Sequence, residues 1–301
     1  MKLLITGCNG FLGMNLADHF ISRGFEVLGA DLAEGPIDER IRYLKADLAD
    51  EREANRVFAD LLPEAVINTV ALVDLDQCEK DKVLARRVNI KTAENIASLA
   101  KKHQARLLHI STDHLFAGNR SFYKEEDEPA PVNNYGRTKL AAEKAVLSEH
   151  PEAAVIRTNF YGWSYPGHRP TFAEWLFAGL KNGSPLPLYT DFYFTPIEIS
   201  FLCEALEEVI GSNSIGVLNV AGTQRCSKYE FGIMMAKLFD LDTSNVRPVT
   251  LKDMELAVKR QTDLSLSTDK FRKRFKTGLP DLKAGLERML RKADALGVKK
   301  Q

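Results

Sequence analysis

The chain has 301 residues, 45% hydrophobic and 27% charged, with 41 Lys and Arg balanced by 41 Asp and Glu. A formal net charge of zero argues against a nucleic-acid surface or a polybasic membrane patch. The length suffices for a large core and sets a soft expectation of about two domains. Four scattered cysteines, Cys8, Cys78, Cys203 and Cys226, lack CxxC pairing and read as reduced thiols, not as a disulfide framework or a zinc site. No apolar run is long enough for a secretory segment or a membrane span, so a cytoplasmic location is expected.

The first predicted strand, residues 2–6, runs into Thr6-Gly7-Cys8-Asn9-Gly10-Phe11-Leu12-Gly13 and then a helix over 12–23. The spacing is GxxGxxG. Gly7 permits the tight turn, Gly10 lets the backbone approach a pyrophosphate, and Gly13 allows close helix–strand packing. The helix start offers N–H groups and a positive dipole end to phosphates. A second strand over 26–30 ends at Asp31. A carboxylate there accepts both adenosine ribose hydroxyls and repels a 2′-phosphate, which favours NAD(H). Leu32 and Ala33 follow without a basic neighbour, while Arg40 and Arg42 keep NADP(H) open. After a third short strand, Asp47 and Leu48 lie within reach of the adenine edge.

A helix over 53–62, a strand over 65–70 and a helix over 85–102 continue the alternation. The next strand, 106–111, ends in Ser111-Thr112-Asp113, and a helix over 135–148 precedes a strand over 153–157. Near-continuous apolar strands alternating with helices predict an α/β, Rossmann-type doubly wound parallel sheet. The carboxyl ends of its strands face the ligand crevice, which places Thr112 there. Tyr135 and Lys139 stand i,i+4 on one helix face. A nearby ammonium is expected to bring the phenol pKa down from about 10 toward the working range. Thr112 is placed to hold the substrate oxygen as charge develops.

Beyond residue 158 the pattern changes. Residues 161–169 read as a loop, 171–182 as a helix, 183–187 as a turn, 197–210 as a helix and 216–220 as a strand extending the main sheet. Residues 227–290 read as mostly helical, with an extended piece at 246–250, and 298–301 as a frayed tail. The expected organisation is a dinucleotide-binding domain over 1–158, joined by sheet elements near 190–222. A smaller, mostly helical substrate lobe takes 159–189 and 223–301. His19, His103, His109, His114, His150 and His168 show no metal-ligand spacing, and neither a GxSxG elbow nor a GK[ST] loop is present.

With these motifs in place, the chain resembles the extended short-chain dehydrogenase/reductase superfamily, and within it the dTDP-4-dehydrorhamnose reductase family. The likeness runs to about residue 290. It is carried by Gly7 to Gly13, by Asn68-Thr69-Val70-Ala71, by Ser111-Thr112-Asp113-His114-Leu115-Phe116 and by EDEPAPVNNYGRTKLAAE over 126–143. Arg157-Thr158 and Thr195-Pro196 extend it. The resemblance implies hydride transfer from NAD(P)H to the C4 ketone of a nucleotide-activated 6-deoxy sugar. Tyr135 would protonate the alkoxide, Lys139 would tune it, and Thr112 would hold the oxygen. Ala71, Leu72 and Ser111 would lie against the cofactor. Asp113, Asn159, Phe160 and Arg260 would form the substrate side, with the C-terminal lobe on the nucleotide diphosphate.

The sequence departs from the family pattern where His114 replaces a common Tyr and where Arg260-Gln261 lacks the proline of an RP pair. The aromatic loop over 160–170 is also long. Two alternatives share the resemblance: an NAD-retaining nucleotide-sugar epimerase or dehydratase, and a non-catalytic subunit like the regulatory subunit of methionine adenosyltransferase. A homodimer is in keeping with the superfamily.

Overall fold

The computed structural model describes residues 1–36, 38–165 and 169–295. In chain order the first half runs β1 (Lys2–Thr6), α1 (Phe11–Ser22), β2 (Glu26–Asp31), β3 (Arg42–Lys45), α2 (Glu51–Leu61) and β4 (Ala65–Asn68). Then come α3 (Leu75–Lys80), α4 (Lys82–Arg86), a π-helical stretch (Arg87–Lys91), α5 (Thr92–Lys102), β5 (Arg106–Thr112), α6 (Asn134–Glu149) and β6 (Ala154–Thr158). The second half runs β7 (Phe160–Tyr161), α7 (Phe172–Asn182), β8 (Leu186–Tyr189), β9 (Tyr193–Phe194), β10 (Ile197–Glu198), α8 (Ile199–Ile210) and β11 (Gly216–Asn219). It closes with β12 (Cys226–Ser227), α9 (Lys228–Phe239), β13 (Val246–Val249), a 3₁₀ turn (Leu251–Asp253), α10 (Asp269–Arg274) and α11 (Leu282–Ala295).

Seven strands form one sheet in the order β11-β6-β5-β4-β1-β2-β3, every neighbouring pair parallel. Its strands are apolar on both faces because both faces are covered. Leu3 and Ile5 of β1 pack with Leu16 and Phe20 of α1 and Leu202 and Leu206 of α8. Leu4, one position along, points the other way, into Val57 and Phe58 of α2, Ile96 of α5 and Val146 of α6. The strand order reverses between β1 and β4, and the crevice for a ligand opens there, beyond their carboxyl ends. A separate apolar cluster around Leu176, Phe194, Phe231 and Leu286 forms the core of the second lobe. Among the described residues, no helix is long and apolar enough to cross a membrane.

Several sequence expectations need correction. The strand expected to reach Val70 stops at Asn68, whose side-chain oxygen takes the Val70 N–H at 3.1 Å and turns the chain. The expected helix over 85–102 is interrupted by the π-helical stretch. Leu186 and Pro187, read as turn, begin a strand paired with β13. Ile197 and Glu198 are not helical but pair with β7. Residues 227–290 are not mostly helical, since 254–268 are largely extended or irregular. There the backbone finds sheet-like partners instead: Tyr123 N–H donates to Ser265 and Ser267 N–H to Tyr123, each at 2.8 Å, while Leu264 N–H donates to Tyr193 at 2.9 Å. Within the expected loop, 161 joins β7 and 166–168 lie outside the described residues, as does the expected tail over 298–301.

The turn between β1 and α1 is as tight as its glycines imply. Gly7 has φ of +74°, the left-handed region that favours glycine. A methyl on Gly13 would sit 2.2 Å from the Gly7 carbonyl oxygen and 2.7 Å from the Cys8 Cα. Both are backbone atoms, so nothing flexible can give way. Gly13→Ala is expected to lower stability by about 1–3 kcal/mol, measured by urea unfolding. Gly278→Ala, where a methyl meets nothing within 4 Å, is the matched control and should unfold close to the natural protein.

Candidate active site

A cleft of about 710 Å³ lies across the carboxyl ends of the sheet strands. On one side it is lined by Gly7, Asn9, Gly10, Phe11 and Leu12, by Asp31 and Leu32 after β2, and by Asp47 and Leu48. Gly13 lies behind this wall, packed on the turn. Gly10 is the N-cap of α1 and supplies no side-chain cap, and the first turn holds no acidic residue. The first N–H groups of α1 therefore meet the cleft uncapped, the arrangement that suits a phosphate. Asp31 accepts the Asn9 N–H at 3.1 Å and the Leu32 N–H at 2.7 Å, which fixes its carboxylate at the rim. The two arginines that left the phosphate question open are engaged elsewhere. Arg40 is ion-paired to Asp38 and Asp18, and Arg42 donates to the Asp60 carbonyl at 3.0 Å.

The floor and far edge include residues the sequence reading passed over. Thr69, Val70, Val73 and Leu75 line the cleft beside the expected Ala71, and Arg87 and Val88 arrive from the π-helical stretch. Arg87 is ion-paired to Asp47. A helical period of 3.6 misplaces residues across a π-turn, so periodicity could not have aimed these two. Leu72 is a correction: it does not line the cleft. Its N–H donates to the Asn89 side chain at 2.7 Å, and its own side chain packs against Cys78, Ala85 and Tyr135. Leu72 supports Tyr135 from behind.

Thr112, Tyr135 and Lys139 meet at the other end. Asn133 caps α6 by accepting the Gly136 N–H at 2.9 Å, which sets Tyr135 in the first turn. The Tyr135 phenol lines the cleft with Thr112 and is 8% exposed. Its pKa does not move as expected. Burial pushes it well above the ordinary phenol range, the Thr112 hydroxyl only partly opposes this, and the Asp113 charge pushes further upward. Tyr135 is thus a proton donor at neutral pH. Lys139 donates to the Ile110 carbonyl at 2.7 Å, and burial brings its pKa down to about 8 against the pull of Glu143.

Ser111 lines the cleft, but its hydroxyl turns away to donate to Glu143 at 2.5 Å. Asp113 is sealed at the cleft wall, accepting the Asn159 amide at 2.7 Å and the Thr112 hydroxyl at 3.2 Å, and burial raises its pKa to about 6. His114 packs edge-on against Tyr135 with ring centroids 5.6 Å apart. Burial, reinforced by Arg260 and Lys228, holds its pKa down at about 3. Phe160 lines the cleft and packs on Phe11. Arg260 is not a lining residue, and its charge reaches the site through His114. The cleft therefore joins a phosphate-ready helix start and a rim carboxylate to a protonated phenol, a hydroxyl and an ammonium.

The model of the RmlD substrate binding domain matches residues 1–295. The dTDP-4-dehydrorhamnose reductase of Mycolicibacterium smegmatis is 30% identical over 82% of this chain and 72% of its own. Methionine adenosyltransferase 2 subunit beta of Xenopus laevis is 30% identical over 83% of this chain and 75% of its own. Among solved structures, the dTDP-4-dehydrorhamnose reductase of Bacillus anthracis, in complex with NADP, superposes with a TM-score of 0.86. It covers 97% of this chain and 99% of its own at 26% identity. This chain belongs to the RmlD substrate-binding domain family.

Proposed function

We propose that this protein is an NAD(P)H-dependent reductase of the 4-keto group of a nucleotide-activated deoxy sugar. The observation that carries this reading is Tyr135, held protonated by burial and lining, with Thr112 and Lys139, the same cleft as the glycine turn. Held in this cleft, a reduced nicotinamide would supply the hydride for the carbonyl carbon. Thr112 and Tyr135 bind the carbonyl oxygen, and Tyr135 gives it a proton as negative charge develops. Lys139, charged for much of the neutral range, stabilises the phenolate that remains. Gly7, Gly10 and the start of α1 would hold the pyrophosphate, and Ala71 and Ser111 would lie beside the nicotinamide half. Asp113, Asn159 and Phe160 orient the sugar, with Arg260 behind His114. A cytoplasmic location fits this activity.

Asp31 at the ribose end, with Arg40 and Arg42 engaged elsewhere, favours NADH over NADPH. The Bacillus anthracis relative holds NADP, so this preference belongs to the present chain's own residues. The test is loss of reduced-cofactor absorbance with a panel of 4-keto nucleotide sugars. Product formation on tightly retained NAD⁺, with no net cofactor turnover, would overturn the reductase in favour of an epimerase. No turnover with any sugar, with stable association to another chain, would favour the binding role of the methionine adenosyltransferase subunit.

Two variants sharpen this. Tyr135→Phe is expected to lower kcat by about 10²–10⁴-fold while cofactor binding, followed by fluorescence titration, stays unchanged. Asp31→Ala removes hydrogen bonds to a charged group, worth about 1.5–3 kcal/mol. It is expected to raise the KM for NADH at least about tenfold and to shift the NADH-to-NADPH ratio of kcat/KM toward NADPH.

A further inference from the structure

Among the described residues, Arg87 and Lys139 are the arginine and the lysine that line the cleft. Lys139 stands with the phenol. Arg87 reaches the opposite end from the π-helical stretch Arg87–Lys91, where it is ion-paired to Asp47. Their side chains are 49% and 25% exposed, and ion pairs as open to water as this contribute little to stability. The fold alone gives no strong reason for an arginine here. π-turns within helices gather at functional sites, because the extra residue aims side chains that a regular helix would turn away.

Both partners are held from behind. The Ala46 N–H donates to the Asp31 carbonyl at 2.9 Å, so Asp47, the next residue, stands beside the rim carboxylate. The Asp47 N–H donates to Glu53 at 2.8 Å, and its Oδ1 accepts the Ala49 N–H at 3.0 Å, which leaves Oδ2 for Arg87. The π-turn is anchored in the other direction by Asn89. Its side-chain oxygen accepts the Leu72 N–H at 2.7 Å, and its amide donates to the Leu72 carbonyl at 3.1 Å and to the Thr138 hydroxyl at 2.9 Å. Among the described residues the Arg87 side chain donates to Asp47 alone. Most of its fork of N–H donors and its planar face are thus left to the cleft. Leu48, Val88 and Leu32, the last 62% exposed, add apolar surface at the same end.

A guanidinium is planar and weakly hydrated, and it stacks on aromatic faces. Nucleobases are received on arginine planes for the same reason. The carboxylates of Asp31 and Asp47 at this end disfavour a further phosphate, whereas a flat, uncharged base with apolar neighbours meets no such repulsion. We propose that Arg87 is a base-recognition residue of the cleft, receiving the adenine of the dinucleotide on its guanidinium face while Asp47 pins the group in place. The proposal rests on the reading of the cleft as a dinucleotide site. It adds a recognition element that the glycine turn and Asp31 do not supply, since those meet the pyrophosphate and the ribose.

Calorimetric titration of the full chain with NAD⁺, 5′-AMP and nicotinamide mononucleotide tests this. Arg87→Met, which keeps the length of the side chain without its charge or plane, should weaken 5′-AMP and NAD⁺ at least about threefold and leave nicotinamide mononucleotide unchanged. An unchanged 5′-AMP affinity overturns the proposal. So does a loss confined to adenosine 2′,5′-bisphosphate, which would make Arg87 a phosphate ligand instead. A second measurement uses the natural protein. Its Arg87 Nε–H resonance, identified by its disappearance in Arg87→Lys, should move upfield when 5′-AMP is added and stay when ribose 5-phosphate is added, because only the base carries a ring current. Equal shifts with both, or none with 5′-AMP, overturn the stacking. If the natural protein bound neither NAD⁺ nor NADP⁺, the dinucleotide reading would fall and this proposal with it; binding of either, with 5′-AMP insensitive to Arg87, would sink the proposal alone.

Discussion

Arg157 and Glu143 form an ion pair behind the cleft, 2.8 Å apart with each side chain only 4% exposed. Burying two charges costs several kcal/mol per ion, and the cost is offset only where geometry is good and the remaining polar atoms are satisfied. Here Oε1 of Glu143 also accepts Arg157 Nε at 3.0 Å and the Ser111 hydroxyl at 2.5 Å. The guanidinium also donates to the Glu125 carbonyl and lies over the Phe116 ring. A single carboxylate thereby registers α6 against the ends of β5 and β6. Lys139 stands one helical turn before Glu143, bonded to the carbonyl of Ile110, the neighbour of Ser111. This pair helps to seat the helix that carries the phenol and the ammonium.

A second buried network crosses the sheet floor. Thr6 donates to Asn68, and the Asn68 amide meets the His109 ring, linking β1, β4 and β5 just below the crevice. Between these two networks the strand ends are fixed by directional bonds, so the groups facing the cleft are set before any ligand arrives. Burial then does opposite things to its neighbours. It keeps Tyr135 in its acid form, lowers the affinity of Lys139 for its proton and leaves His114 neutral. Acid and cation arise from residues only four positions apart.

The sheet was legible because parallel strands buried on both faces read as apolar runs, and the crevice because glycine spacing and Asp31 have a direct steric and hydrogen-bonding meaning. Thr112, Tyr135 and Lys139 followed from strand-end position and helical spacing. What sequence spacing could not resolve was direction. Ser111 is adjacent to the cleft, yet its hydroxyl answers to Glu143, 32 positions away. Leu72 follows the right strand but is turned aside by Asn89. Arg87 and Val88 were hidden by a π-turn, and the stretch before α10 carries apolar residues without helical partners. The expected fall in the Tyr135 pKa failed because burial raises it and the Asp113 charge adds to that rise, while the Lys139 ammonium is turned to the Ile110 carbonyl.

The extended segment before α10 carries a consequence for how the molecule is made. Its Ser265 hydroxyl takes the Phe122 N–H, and its Gln261 amide bonds the His114 carbonyl, pairs 143 and 147 positions apart in sequence. Asn219 joins Tyr123 and Ser267 from a third element. The loop behind Asp113 and His114 is therefore braced by chain synthesised long after it. A nascent first half emerging from the ribosome can pair six of the seven sheet strands, but the wall of its cleft stays unbuttressed until the last quarter of the chain arrives. Contacts of such high sequence separation are slow to close, so the finished cleft wall is expected among the late steps of folding.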